Sequence, residues 1–415
     1  MGDSLTENRP VRVSVLRDRY PTAFSSPRHS RHDVRRRWFV PFNKLQSKLD
    51  GFTLMQPCDG SDFVHVVNRI PFGARKMICS FESHIPRKFG LAEDAILTRM
   101  MLNEITSNRC RRLVGMSHFA KRTALAMHEG TPAYDVIKAK MMVQHPNVEL
   151  GREGDRLKGD DASRLVLTFV GGHFVRKGGC VAVRIAEKAI EQGLPIEVNI
   201  ISSLKAGKDV WSDPTDPDFL KAYLDLLSLP NVNHEPGLPN EKARELMGKS
   251  HFTLLPTFED TFGFSAIESM AEYTPVIGTS VCALPEVIYH GRNGYLLHLD
   301  QDELGEWVRP DKTERHTEAY TRIYQDTIEM LADEALAYLK PLIGNPEALA
   351  AMRADARYTA EQMFSAEVAG PRWDDLYERV SRESVRTPAI CDPVLDQSSP
   401  ESPAFLFEDR PVGGI

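Results

Sequence analysis

No stretch of this chain approaches the roughly 18 uninterrupted apolar residues that a membrane-spanning helix needs. Its opening residues, "MGDSLTENRPVRVSVLRDRY", lack the apolar centre of a secretion signal. Cysteine is sparse: Cys58, Cys79, Cys110, Cys180, Cys282 and Cys391 lie far apart and form no C-x-x-C pair. That spacing argues against a disulfide framework or a structural zinc site and makes a reducing cytoplasm the expected setting. Nucleic-acid recognition motifs are missing too, so no nucleic-acid partner is expected.

What is present is a long soluble chain with an uneven charge distribution. At 415 residues it exceeds one ordinary core and implies two domains with extensions. Residues 1–150 carry 24 Lys and Arg against 14 Asp and Glu, whereas the remainder carries 27 against 44. The two halves therefore face different partners, and the positive one suits anionic surfaces: phospholipid, lipid pyrophosphate or acidic glycan. Plain solubility is the simpler reading of the same split.

Short apolar runs in the first half ("VRVSVL", "FVHVVN", "KMICSFE", "RRLVGMS", "AKMMVQH") alternate with helical periodicity such as "EDAILTRMMLNEI". This pattern implies βα units around a parallel sheet over residues 1–150. The polar segment 151–163 reads as a linker. A second βα series over 164–350 opens with the apolar strand "RLVLTFVGG" and the periodic helix "GGCVAVRIAEKAIEQG". Residue Asn240 stands where a helix N-cap is expected. The fold class is α/β, with two doubly wound halves facing a cleft. Residues 351–383 are helical, and 384–415, rich in Pro and Ser without periodicity, read as a disordered tail. The basic run "RHSRHDVRRRWF" reads as a solvated helix face, or more sharply as a membrane-surface patch with Trp38 at the interface. The acids of "DPTDPD" (213–218) read as turn and cap residues.

The run "LLPTFEDTFGFSAIESMAEYTPVIGTS" (254–280) carries the chemistry. A strand ends at "LLPT" and a helix begins near Gly263, so free backbone N–H groups and the helix dipole make an anion site suited to a diphosphate. Carboxylates beside a phosphate make sense where they accept hydrogen bonds from hydroxyls. Of Asp260, before the turn, and Glu268, one turn inside the helix, one suits the hydroxyls of a donor sugar and the other a ribose diol. The plain alternative is an acid stabilising its helix dipole plus an ordinary surface Glu.

This run resembles the retaining GT-B glycosyltransferases of family 4, whose hallmark is E-x7-E within P-[ST]-x-x-E-x-F-G-x-x-x-x-E-[AS]-M-A. Asp260 falls on the first acid and Glu268 on the second; Glu259 is displaced by one. "LTFVGGHFVRKGG" resembles the family's V-G-R-x-x-x-x-K-G, with Lys177 on its Lys and Gly172 in place of its Arg, so that Arg176 becomes the second cation. "TSVCALPEVIYHGRNGYLL" resembles the following segment, and Glu286 is retained with a structural role. The resemblance spans about residues 165–299. It implies a GT-B fold with two Rossmann-like domains and a glycosyltransferase that moves a hexosyl group from a nucleotide-diphosphate sugar, with retention, to a glycan, lipid-linked or other acceptor, as in polysaccharide biosynthesis. Arg176, Lys177, Gly263 and Phe264 then bind the donor diphosphate, Glu268 the ribose and Leu238 the base. Asp260 orients the sugar, and His84, preferred over His118, approaches it from the other domain. Neither a metal nor a cofactor is expected. The last helices cross back to the first domain. The glycine-rich loop that often follows the family's first strand is missing. Two alternatives stay open: a silent sugar-nucleotide or glycan-binding protein, and a GT-B epimerase or phosphorylase. Peripheral contact with an anionic membrane through the basic half is a further expectation.

Overall fold

Parallel strand pairing organises both halves of the chain in the computed structural model, which describes residues 9–17, 24–40, 42–54, 60–152, 161–391 and 406–407. One unit comprises residues 1–147 with 363–400, the other 148–362 with 401–415.

In the first unit the elements run β1 (Arg12–Leu16), β2 (Asp33–Arg37), β3 (Phe52–Leu54), β4 (Phe63–Val67), β5 (Ile70–Phe72), β6 (Met77–Phe81), α1 (Ile96–Thr106), β7 (Cys110–Gly115), α2 (His118–Ala126), α3 (Tyr134–Lys140) and β8 (Met141–Val143). The sheet order is β2-β1-β4-β6-β7-β8, and β3 pairs separately with β5. Every residue of β4 and β6 is buried. A strand covered on both faces is mostly apolar, which is why these segments show near-continuous runs rather than alternation, and their two polar side chains, His65 and Ser80, bond each other.

Two local readings need correction. The basic run expected to be helical is instead the edge strand β2, aligned with β1 from Arg12↔Asp33 to Leu16↔Arg37. An edge leaves side chains in water, so Arg35 and Arg36 are exposed there without cost, and charge on an edge discourages unwanted pairing. The strand expected across 139–145 is confined to β8, because α3 continues through Lys140. That buried ammonium donates to the carbonyls of Ile105, Thr106 and Ser107, at 2.7 to 2.9 Å, and so satisfies the C-terminal end of α1.

In the second unit β9 (Leu165–Val170), α4 (Gly179–Glu191), β10 (Ile196–Ile201), α5 (Pro217–Asp225), β11 (Val232–Glu235), α6 (Asn240–Gly248), β12 (Phe252–Leu255), α7 (Phe264–Ala271), β13 (Val276–Thr279) and β14 (Gly294–Leu297) precede the long helices α8 (Glu318–Leu339) and α9 (Pro346–Thr359). The sheet order is β11-β10-β9-β12-β13-β14. The chain thus winds outward from β9 to β10 and β11, then returns to β12 on the opposite side. This reversal makes the carboxyl ends of β9 and β12 the topological switch point, where open α/β sheets bind ligands.

The last helix, α10 (Ala366–Arg382), belongs to the first unit. Its Trp373 and Tyr377 enter the same core as Val13, Phe63 and Ile78. Most of the linker reading (153–160) and of the tail reading (392–405 and 408–415) falls outside the described residues. Within the tail, Thr387 accepts a hydrogen bond from Arg111 at 2.9 Å, and Phe407 is buried in the second unit, stacked on Tyr289 with Arg292 over its ring. Among the described residues no helix is long and apolar enough to cross a membrane.

His65 of β4 shows how tightly α10 is integrated. Its Nδ1 lies 2.8 Å from the Tyr377 hydroxyl and its Nε2 2.8 Å from Ser80 Oγ, while the Trp373 ring packs 4.7 Å away. Burial lowers its pKa from 6.5 to about 3. The folded state therefore holds this imidazole neutral, whereas the unfolded chain protonates it near pH 6.5. Stability from this group is complete above pH 6.5 and drains away as pH falls toward 3, by at most about 1.4 kcal/mol per pH unit. We expect urea midpoints to fall between pH 7 and pH 5 and the fall to be shallower in His65→Gln. An identical slope in the variant would show that another group governs the acid sensitivity.

Candidate active site

Two loops meet at the switch point of the second sheet, one after β9 and one after β12. The first, residues 171–178, delivers Arg176 and Lys177 and ends at Gly178, the N-cap of α4. The second, residues 256–263, delivers Glu259 and Asp260 and ends at Gly263, the N-cap of α7. Both cap glycines have positive φ, 89° and 81°. A Cβ on Gly178 would stand 2.1 Å from the Pro256 carbonyl oxygen, and one on Gly263 would stand 2.7 Å from Leu284 Cδ2. Only glycine lets both helices begin where the strands end.

Hydrogen bonds lace the loops together. The Arg176 carbonyl accepts from Phe258 N at 2.9 Å and from Thr257 Oγ1 at 3.0 Å. Arg176 in turn donates through its NH1 nitrogen to the Glu259 carbonyl at 2.5 Å. Its Nε and NH2 groups both point at Nδ1 of His173, 3.2 and 3.0 Å away. That arrangement requires a neutral His173 with a free lone pair on Nδ1. Burial first, and then the charges of Arg176 and Lys177, hold its pKa below the ordinary value, which agrees.

Lys177 donates to Asp260 Oδ2, pairing the two residues that motif spacing singles out. Asp260 is buried. Burial alone would raise its pKa, but the Lys177 and Arg176 charges outweigh that penalty and hold the carboxyl below the usual range. Glu259 has its own partners: Trp211 Nε1 at 3.3 Å, Arg309 at 3.1 Å and Lys312 at 3.1 Å. Burial opposes its ionisation, Lys312 and Arg309 favour it, and the carboxyl again lies below its usual value. Four cations (Arg176, Lys177, Arg309, Lys312) thus surround these two carboxylates, with Glu306 a third acid facing Glu259, Lys312 and Arg309, so that the cations outnumber the acids by one.

Glu268 lies one turn inside α7, buried, and its Oε1 accepts from Asn240 Nδ2 at 2.8 Å. Asn240 was expected to cap α6. Instead Pro239 holds the cap position and Asn240 is the first helical residue, with its amide turned to Glu268. Phe264 opens α7, half-buried against Phe262 at 5.5 Å. Leu238 is half-buried in the β11–α6 loop, two residues before Asn240. His84 belongs to the first unit. It is exposed just beyond β6, with Nδ1 2.9 Å from Ser83 Oγ. His118 opens α2 behind Ser117, which caps the helix by accepting from Ala120 N at 3.0 Å. Asp216 caps α5, whereas Asp213 is fully buried, accepts from Gly207 N at 3.1 Å and has its pKa pushed up by burial to about 7.

Comparison with known proteins agrees with this geometry. Residues 164–309 match the family Glycosyl transferases group 1. The matched segment contains both switch-point loops and three of the four cations, Lys312 lying just beyond it. A D-inositol 3-phosphate glycosyltransferase from Mycobacterium tuberculosis is 29% identical over 205 residues, covering 48% of this chain and 39% of that protein. Its counterpart from Streptomyces avermitilis is 25% identical over 173 residues, covering 40% and 37%. The chain spans less than half the length of these curated relatives. Among solved structures, Alr3699/HepE from Anabaena in complex with UDP aligns with a TM-score of 0.53 at 12% identity, over 89% of this chain and 100% of that one. A glycosyltransferase from Rickettsia africae aligns at 0.51 and 16% identity, over 78% of each chain. These likenesses show the GT-B fold, with two Rossmann-like domains.

Sequence reading singled out Lys177, Asp260, Gly263 and Glu268 but missed Asn240 as the partner of Glu268, and Trp211, Arg309 and Lys312 as the partners of Glu259. Trp211 lies just ahead of the run read as turn and cap residues (213–218), and the last two lie some fifty residues beyond Glu259, where spacing carries no signal. The glycine geometry yields a test. Gly178→Ala places a Cβ against backbone at a left-handed position, so we expect a loss of at least about 2 kcal/mol in urea unfolding. An unchanged midpoint would mean that the two loops do not depend on this close approach.

Proposed function

We propose that this protein is a glycosyltransferase that moves a hexosyl group from a nucleotide-diphosphate sugar to a glycan, lipid-linked or other acceptor, with retention of configuration. The observation that carries the reading is the meeting of Lys177, Arg176, Asp260 and the α7 N-terminus at one switch point. The Anabaena protein is solved in complex with UDP and with UDP-glucose, which supports a nucleotide-sugar donor.

In this mechanism the diphosphate lies against Lys177, Arg176 and the amides of Gly263 and Phe264. As the glycosidic bond to phosphate lengthens, negative charge grows on the leaving group, and these fixed donors stabilise it most at that point. Asp260, kept ionised by its cations, accepts from sugar hydroxyls. Glu268, oriented by Asn240, accepts from the ribose diol, and the Leu238 backbone meets the base. His84 serves the sugar from the first unit. The positive surplus performs the neutralising role that a divalent ion fills elsewhere, so we propose that turnover needs no metal. Acceptor capture falls to the first unit. There the exposed Arg35, Arg36 and Trp38 suit peripheral contact with an anionic membrane from the cytoplasmic side.

A thermal-shift panel of UDP, GDP, ADP and their sugars tests the donor site. One nucleotide at a hundredfold excess over its Kd should add about 2.7 kcal/mol of stability. In Lys177→Gln, which keeps an amide donor for Asp260, affinity should drop about 10- to 100-fold. No shift with any nucleotide would defeat the proposal, and binding without release of nucleoside diphosphate would favour a silent binding protein. A second expectation is that turnover of the productive donor is unchanged by EDTA and that the product keeps the donor's anomeric configuration by NMR. Loss of activity in EDTA, restored by a divalent ion, would overturn the metal-free mechanism.

A further inference from the structure

Trp211 is an aromatic side chain left largely open beside the candidate site, with 52% of its surface exposed. An isolated exposed indole needs no explanation, but this one is held from several directions. Its Nε1 donates to Glu259 Oε1, the Arg176 guanidinium lies 4.9 Å from the ring centroid, and the His173 ring meets it edge-on at 5.7 Å. The backbone on either side is pinned as well. Arg315 donates to the carbonyl of Val210 and, at 3.2 Å, to those of Gly207 and Lys208; Tyr320 and Tyr324 both donate to the Ser212 carbonyl at 2.7 Å. The orientation of the indole is therefore set before any ligand arrives, which removes much of the ordering cost of binding.

Position narrows the ligand. Trp211 touches Arg176 and Glu259, the chain neighbours of Lys177 and Asp260. The ribose end of the proposed donor is marked by the separate Glu268–Asn240 pair. A flat π face with a negative quadrupole, bonded to Glu259 and so one residue along the chain from the carboxylate assigned to sugar hydroxyls, suits a pyranose: its C–H face lies on the ring and its hydroxyls turn toward Asp260. We propose that Trp211 is the stacking platform for the sugar of the donor and discriminates nucleotide sugar from bare nucleotide. This inference rests on the donor-site reading above and deepens it.

Calorimetric titration of wild type, Trp211→Ala and Trp211→Phe with UDP and UDP-glucose, GDP and GDP-mannose, and ADP and ADP-glucose separates the possibilities. For the pair that binds wild type, Trp211→Ala should weaken the nucleotide sugar about tenfold, a size typical of one aromatic stacking contact. The nucleoside diphosphate should stay within about twofold, and Trp211→Phe should recover most of the loss. Equal weakening of both ligands would overturn the inference, because Trp211 would then act through Arg176 on the diphosphate. No weakening of either would also overturn it, leaving the donor site intact. Wild-type protein that binds neither member of any pair would overturn the donor-site reading and this inference with it. Far-ultraviolet melting of both variants separates binding loss from unfolding.

Discussion

The pairing of Lys177 with Asp260 is the constraint on which the candidate site depends. The two residues lie on loops that follow neighbouring central strands, and each loop ends at a glycine that caps the next helix. Asp260 is buried, so its charge survives chiefly because cations stand next to it, helped by the backbone N–H of Phe262. A buried ion pair is weak evidence for stability, since desolvation consumes most of the attraction. Its value here is positional: it fixes two side chains from distant parts of the chain at one point. The backbone bonds from Phe258 and Thr257 to the Arg176 carbonyl do the same for the loops themselves.

In the proposed reaction this pair must be shared rather than simply kept. A diphosphate brought to Lys177 competes with Asp260 for the ammonium, and Asp260 then needs other donors. Sugar hydroxyls are suitable replacements, since a carboxylate accepts several hydrogen bonds at once. Bare nucleoside diphosphate offers no such hydroxyls at that position. The buried pair therefore favours a ligand that carries both anion and sugar, and recognition of the two ends becomes coupled through one contact.

Much of this was readable in the sequence, for physical reasons that differ by region. The sheets were legible because strands buried on both faces are mostly apolar, as in β4, β6 and β12. Lys177, Asp260, Gly263 and Glu268 were legible because a strand–turn–helix unit fixes its spacing. The edge strand β2 was not, since exposed Arg35 and Arg36 follow neither apolar period. Asn240 was misread for another reason: a residue fit to cap a helix can also donate its amide elsewhere, and only the nearness of α7 decides between them. Trp211, Arg309 and Lys312 converge on Glu259 from separate segments, a meeting that no local pattern encodes.

Position 172, where the family resemblance implies an arginine, is a glycine in this chain. A Cβ there would meet Ser203 Oγ at 3.5 Å, an ordinary contact, and its backbone is not left-handed, so the start of a larger side chain has room. Steric exclusion does not account for the missing arginine. In the proposed site the second cation is Arg176, four residues on, anchored on the Glu259 carbonyl and neutral His173 and stacked on Trp211. Of its five N–H donors three are so engaged. Each anchor lowers the freedom of a long side chain whose ordering would otherwise oppose binding. Arg309 and Lys312 complete the exchange by neutralising Glu259, which would otherwise cancel the charge that Arg176 brings. The positive surplus thus comes from residues that meet only through folding, and its placement depends on the loops that Gly178 and Gly263 hold together.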